Sequence, residues 1–175
     1  VTLGVVLGNR YDGKLRYLMN DLVMNLKGMS PFGIPVNKLG GQARALPRLI
    51  DEAFMSENQM VIFPAGLCSR MIDGKIQDIA WSKSFVTKSR KSGRDIIPIH
   101  FYGQNSKRFY RVATWCKRLK LKFNFAMLML PDEMVRSAGN KYKVVIGKPI
   151  PIESIDRSRS DMEWAQEIRR QVYEL

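Results

Sequence analysis

VIFPAGLCSR, residues 61–70, decides how the rest of the chain is read. An apolar run stops at Pro64, turns through Gly66 and then presents Cys68, Ser69 and Arg70 in quick succession. A strand ending at Phe63 and Pro64 would deliver Ala65 and Gly66 to the rim of a sheet. There a glycine lets a ligand approach backbone N–H groups, which suit an anion or a developing oxyanion. Arg70 adds a guanidinium able to fork onto a phosphate or carboxylate. The same spacing also describes an ordinary strand-to-loop turn, so the decapeptide alone does not define a site.

Outward from this stretch, elements alternate. KLRYLM (14–19), GIPVNK (33–38), MVIF (60–63), DIIPIHFYG (95–103) and YKVVIG (142–147) read as strands bounded by glycine, proline or polar turns. Between them DLVMNLKG (21–28) reads as helical, and QARALPRLIDEAFMSE (42–57) carries apolar residues three and four apart with Pro47 in its first turn. Residues 80–92 and 106–119 read as basic helices, and Ser160 opens a C-terminal helix with early acids and later arginines. The rhythm predicts an α/β fold: a mostly parallel central sheet flanked by helices, with ligands outside the carboxyl ends of the strands. At 175 residues the chain is long enough to bury one substantial core, which predicts a single domain over 1–175.

Composition narrows the classes. The formal net charge is +13, and the span from Ile79 to Pro131 holds twelve lysines and arginines against one acid, Asp95. So concentrated a basic surface attracts a polyanion: nucleic acid, an anionic lipid leaflet or an acidic carrier protein. A nucleic-acid-binding module is disfavoured, because no RNP-like, zinc-finger or helix-turn-helix signature accompanies the charge. No apolar run reaches the roughly 20 residues that cross a bilayer. The longest, FNFAMLML (123–130), reads as a buried strand. Cys68 and Cys116 have no CxxC partner and no histidine cluster nearby, which predicts neither a disulfide framework nor a metal site and points to a reducing cytoplasm. VTLGVVLGNR lacks the features of a signal peptide, and a chain opening on Val1 rather than methionine reads as cut from something longer.

FPAGLCSR resembles the third sequence block of the glycerolipid acyltransferases, the lysophosphatidic-acid acyltransferase group, whose usual form is FPEGTRSR. FGIPVNK (32–38) is similar to the second block, with Lys38 where arginine is common; IIPIHF (96–101) is similar to the fourth; and GKPIPI (147–152) is similar to a late G-x-P-I segment. More narrowly, FPAGLCSR followed by GKIQDIAWSKSFV and RDIIPIHFYGQNS resembles the bacterial haemolysin-type branch, which includes enzymes making ornithine or glycine lipids.

The resemblance implies acyl transfer from a thioester, on acyl carrier protein or coenzyme A, to a lysolipid acceptor that is a lysophospholipid or a lyso-aminolipid. It implies no bound cofactor and no metal, and a cytoplasmic enzyme peripheral on the anionic inner face of the cell membrane. Lys38, Phe63, Pro64, Gly66, Ser69 and Arg70 are the implied substrate-binding residues. Ser69 and Gly66 would orient the loop or donate to the thioester oxyanion, and Arg70 would bind a phosphate. The family's catalytic pair, a histidine and an aspartate in an N-H-x4-D block, is absent: His100 is the only histidine, and Asn105 stands five residues after it. The pair is therefore expected upstream of Val1, and the rival reading is an inactive, membrane-binding relative. Ala65, Leu67 and Cys68 replace glutamate, threonine and arginine of the usual block, which favours an acceptor other than a simple glycerol phosphate.

Overall fold

The structure, a computed structural model, describes residues 2–19, 30–35, 46–121 and 125–175. Its contacts divide the chain into two compact units, Val1–Pro64 with Lys83–Arg94, and Ala65–Ser82 with Asp95–Leu175.

The first unit opens with helix α1, Thr2–Arg10. Gly13, at φ 76°, takes the left-handed turn that ends it and donates its N–H to the Gly8 carbonyl at 2.9 Å. Strand β1, Leu15–Met19, follows, and LRYLM alternates as a half-buried strand must, with Leu15, Tyr17 and Met19 inward. Strand β2, Gly33–Pro35, pairs parallel with β1 through Tyr17 opposite Gly33. Helix α2, Leu46–Met55, has Pro47 in its first turn, where the missing N–H removes no helical bond. Strand β3, Gln59–Val61, pairs parallel on the other side of β1, giving the order β2-β1-β3. Leu7, Phe32 and Val61 close over the core of β1. Helix α3, Ser84–Ser92, buries Phe85 and Val86 and ends on Gly93 in the left-handed region. Asp51 of α2 accepts from both Lys88 and Lys91 of α3 and fastens the two helices together.

The second unit is built on antiparallel pairs. Strands β4, Arg70–Ile72, and β5, Lys75–Gln77, form a hairpin around Asp73 and Gly74, both at positive φ, as a two-residue turn between twisted strands requires. Strand β6, Ile99–Tyr102, pairs with β7, Lys143–Ile146. Helix α4, Lys107–Arg118, starts at Ser106, whose hydroxyl accepts from the Phe109 N–H. The carboxylate of Glu133 accepts in turn from the Ser106 N–H at 2.6 Å and its hydroxyl at 2.5 Å. Glu133 belongs to helix α5, Leu130–Arg136, so one buried carboxylate both caps α4 and locks α5 to it. Helix α6, Asp161–Glu174, has the full capping box, Ser160 with Glu163, and buries Ala165, Ile168 and Val172 on one stripe.

The α/β class, the parallel sheet and the helices beside it match the reading of the sequence, and β1, α4, β7 and α6 fall within a residue or two of it. Lys38, the proposed helix at 21–28 and residues 42–45 lie outside the described residues. Beside the parallel sheet, β4–β5 and β6–β7 are antiparallel pairs. Two readings are corrected. The strand read over 95–103 is paired continuously only over Ile99–Tyr102, and the side chains of its last two residues, Phe101 and Tyr102, are exposed. Described residues 125–130 of FNFAMLML are a 3-10 turn running into α5, not a strand. Ala126 packs on Phe109, Tyr110 and Ala113, and Pro131 in the first turn of α5 favours the helix over a sheet ladder.

Leu15 is 1% exposed at the centre of the first unit. Leu15→Ala is therefore expected to destabilise the fold by about 3 kcal/mol, read as a lower urea midpoint at unchanged slope.

Candidate active site

The stretch that resembles the third acyltransferase block leaves the first unit at Phe63, which is 60% exposed, and Pro64, and enters the second at Ala65. Gly66 holds φ +65°, and a Cβ added there would meet nothing within 4 Å. The position requires glycine because of backbone conformation, not crowding, and the space beside it is open.

After Gly66 the side chains turn inward. Cys68 packs against the cluster of Phe109, Tyr110, Ala113 and Ala126, and burial pushes its thiol up from the ordinary value, with the Arg70 charge a smaller opposing influence. A thiol kept protonated among aromatic rings is a packing group rather than a nucleophile. Ser69 Oγ donates to Asp78 Oδ1 at 2.7 Å. Its one hydroxyl proton is thereby engaged, so in this geometry Ser69 orients the loop and does not donate to an oxyanion. Arg70 folds back on its own loop: Nη1 donates to the carbonyls of Cys68 at 2.6 Å and Ser69 at 3.1 Å, and the guanidinium lies 5.7 Å from the Phe109 ring centroid. Nη2 is buried with no partner among the described residues, leaving one N–H edge unused.

Asp78 is the residue that sequence reasoning missed. Besides Ser69, its carboxylate accepts from Trp81 Nε1 at 3.1 Å. Its backbone N–H donates to the Tyr173 hydroxyl at 2.9 Å, and its carbonyl accepts from Arg169 Nη2 at 2.7 Å. Gln166 adds a pair of bonds to the main chain of Trp81. Gln166, Arg169 and Tyr173 sit three and four residues apart, so one face of α6 grips residues 78–81 and, through Asp78, the loop at Ser69. The polar stripe on α6 is visible in its periodicity; the isolated acid in IQDIAW carries no such signal.

His100 lies on β6, stacked 4.1 Å from Tyr102 and tilted 5.5 Å from Tyr173. Its Nδ1 is buried without a partner among the described residues, so no described carboxylate orients the ring through that nitrogen. The Asn105 N–H donates instead to Tyr110. This arrangement is a packed aromatic ladder, not a histidine–aspartate dyad. Among the described residues no cluster of histidine, cysteine and acids could hold a metal ion.

Residues 3–175 match the acyltransferase family, and the chain belongs to it. It is 48% identical over all 175 residues to the lyso-glycine lipid O-acyltransferases of Bacteroides thetaiotaomicron and of Phocaeicola vulgatus. The chain spans 64% and 63% of the length of these two relatives. No solved structure shows a significant match.

Two outcomes follow from the geometry. Asp78→Ala should cost about 2–3 kcal/mol of stability, whereas Asp78→Asn, which keeps an acceptor for Trp81 and can donate to Ser69 Oγ, should cost less than half as much by thermal melting. Alkylation of Cys68 by iodoacetamide should be slow at neutral pH and rise only at a higher pH than for an exposed cysteine, because burial holds the thiol protonated through the range where an exposed cysteine already ionises.

Proposed function

We propose that this chain is part of an enzyme that moves a fatty acyl group from acyl carrier protein or coenzyme A to the hydroxyl of a lyso-glycine lipid. The observation that carries the reading is the 48% identity to two lyso-glycine lipid O-acyltransferases, over alignments that cover all 175 residues. The loop chemistry supports it. Ala65, Gly66 and Leu67 place no charge on the open side of the turn, and Arg70 is folded inward, an arrangement better suited to an acceptor without a terminal phosphate than to lysophosphatidic acid.

In the proposed reaction the acceptor oxygen attacks the thioester carbonyl carbon, a general base takes its proton, and collapse of the tetrahedral intermediate breaks the C–S bond and releases the protonated thiol. His100 is not placed for that base, so the base and its orienting acid are proposed to lie outside these 175 residues. Gly66 would leave the approach to the thioester open, with Pro64 and Phe63 leading into the turn, Ser69 holding its shape and Arg70 bracing the turn from behind through the Cys68 and Ser69 carbonyls. Lys38 is proposed to contact substrate from the second sequence block. The acceptor is a membrane lipid, and the basic excess from Ile79 to Pro131 favours an anionic cytoplasmic leaflet as the place of reaction.

Full-length protein assayed with labelled acyl carrier protein or acyl coenzyme A should acylate lyso-glycine lipid at least about tenfold faster, in kcat/KM, than lysophosphatidic acid. Gly66→Val should lower both rates by about 100-fold, because a β-branched residue cannot hold φ +65° without displacing the turn. Faster transfer to lysophosphatidic acid would overturn the acceptor assignment.

A further inference from the structure

The two faces of α4 differ in kind. Phe109, Tyr110, Ala113 and Cys116 are buried. At about 100° per residue, the opposite pole of the helix carries Arg108, Arg111, Trp115 and Arg118, with Leu119 continuing the same stripe just past its end. This outward pole is not a plain solvated face. Trp115 is 62% exposed and Leu119 68%, and Leu121 two residues on is exposed as well, so large apolar groups stand in water between arginines. The negative charge that would ordinarily balance those arginines is missing from the segment, since no acid occurs between Ile96 and Pro131. Arg108 approaches Asp132 at 3.9 Å, and among the described residues neither Arg111 nor Arg118 forms an ion pair.

We propose that the outward face of α4 is the surface by which the protein docks on an anionic lipid bilayer, with Trp115 and Leu119 entering the headgroup boundary while Arg111 and Arg118 pair with lipid phosphates. The inference deepens the reading of the protein as a lipid acyltransferase and rests on it for its biological sense. Charge complementarity identifies the occupant's sign. The apolar content identifies its kind: an indole flanked by cations is the side-chain set that settles at the interface between headgroups and acyl chains. An acidic carrier protein would satisfy the arginines but offers no reason for the bare indole and leucine beside them.

The test reads binding, not turnover, so that its failure is distinct from failure of the assigned reaction. The full chain is sedimented with vesicles of phosphatidylcholine alone, or with about one third phosphatidylglycerol, over a range of salt. Binding should need the anionic lipid and fall with salt, and Arg111→Ala combined with Arg118→Ala should weaken it by about 20-fold. Of the three tryptophans, Trp81 is buried and Trp164 half-buried with its indole N–H bonded to the Asp156 carbonyl. Quenching by brominated lipid should therefore be lost in Trp115→Phe while binding persists. Equal binding to neutral vesicles, unchanged quenching in Trp115→Phe, or a double arginine variant that loses capture of acyl carrier protein but keeps the vesicles would each overturn the proposal. Salt dependence and quenching of the unaltered protein decide the matter even if the double variant does not fold.

Discussion

The hydrogen bonds converging on Asp78 are the constraint on which the candidate site depends. A short loop of mostly small residues around one glycine, left alone, would sample many turns at about 1–2 kcal/mol of entropy per ordered residue. Asp78 removes that freedom from two directions. Its carboxylate fixes Ser69, and its main chain is fixed by Arg169 and Tyr173 of α6. The C-terminal helix, some 90 residues further along the chain, thus defines the geometry of the turn at Gly66 and Arg70.

Arg70 is held within the same frame. Its guanidinium satisfies two loop carbonyls and covers the Phe109 ring, so it contributes to the loop's shape before it meets any ligand. The hairpin β4–β5 carries the restraint from Arg70 round to Asp78, because Arg70 is paired with Gln77 at the hairpin's open end. Cys68 completes the anchor by burying its sulfur in the α4 cluster, where the arginine of the usual family block would place a charge among aromatic rings.

Much of this was legible in the sequence, and the failures have physical causes. The turn-bounded apolar run LRYLM, the basic run at 106–119 and the opening residue Ser160 marked β1, α4 and α6, because local chemistry and tertiary burial agree there. FNFAMLML misled because an unbroken apolar run has no period, and only its packing on α4 and Pro131 select a helical path. The hairpin at 70–77 has a turn signal in Asp73-Gly74, but its strands are only three residues long, too short for an alternation to show. Gly66 was legible from its turn, whereas the roles of Ser69 and Arg70 were not: both depend on Asp78 and on aromatic residues more than 30 positions away in the case of Phe109.

In the proposed reaction the turn at Gly66–Arg70 meets the acyl thioester. An amide NMR titration of labelled protein with a non-reactive thioether analogue of acyl-pantetheine tests this directly. The amide signals of Gly66 to Arg70 should shift first and saturate with the analogue. Saturable binding that leaves those signals unmoved, while others in the protein shift, would contradict it.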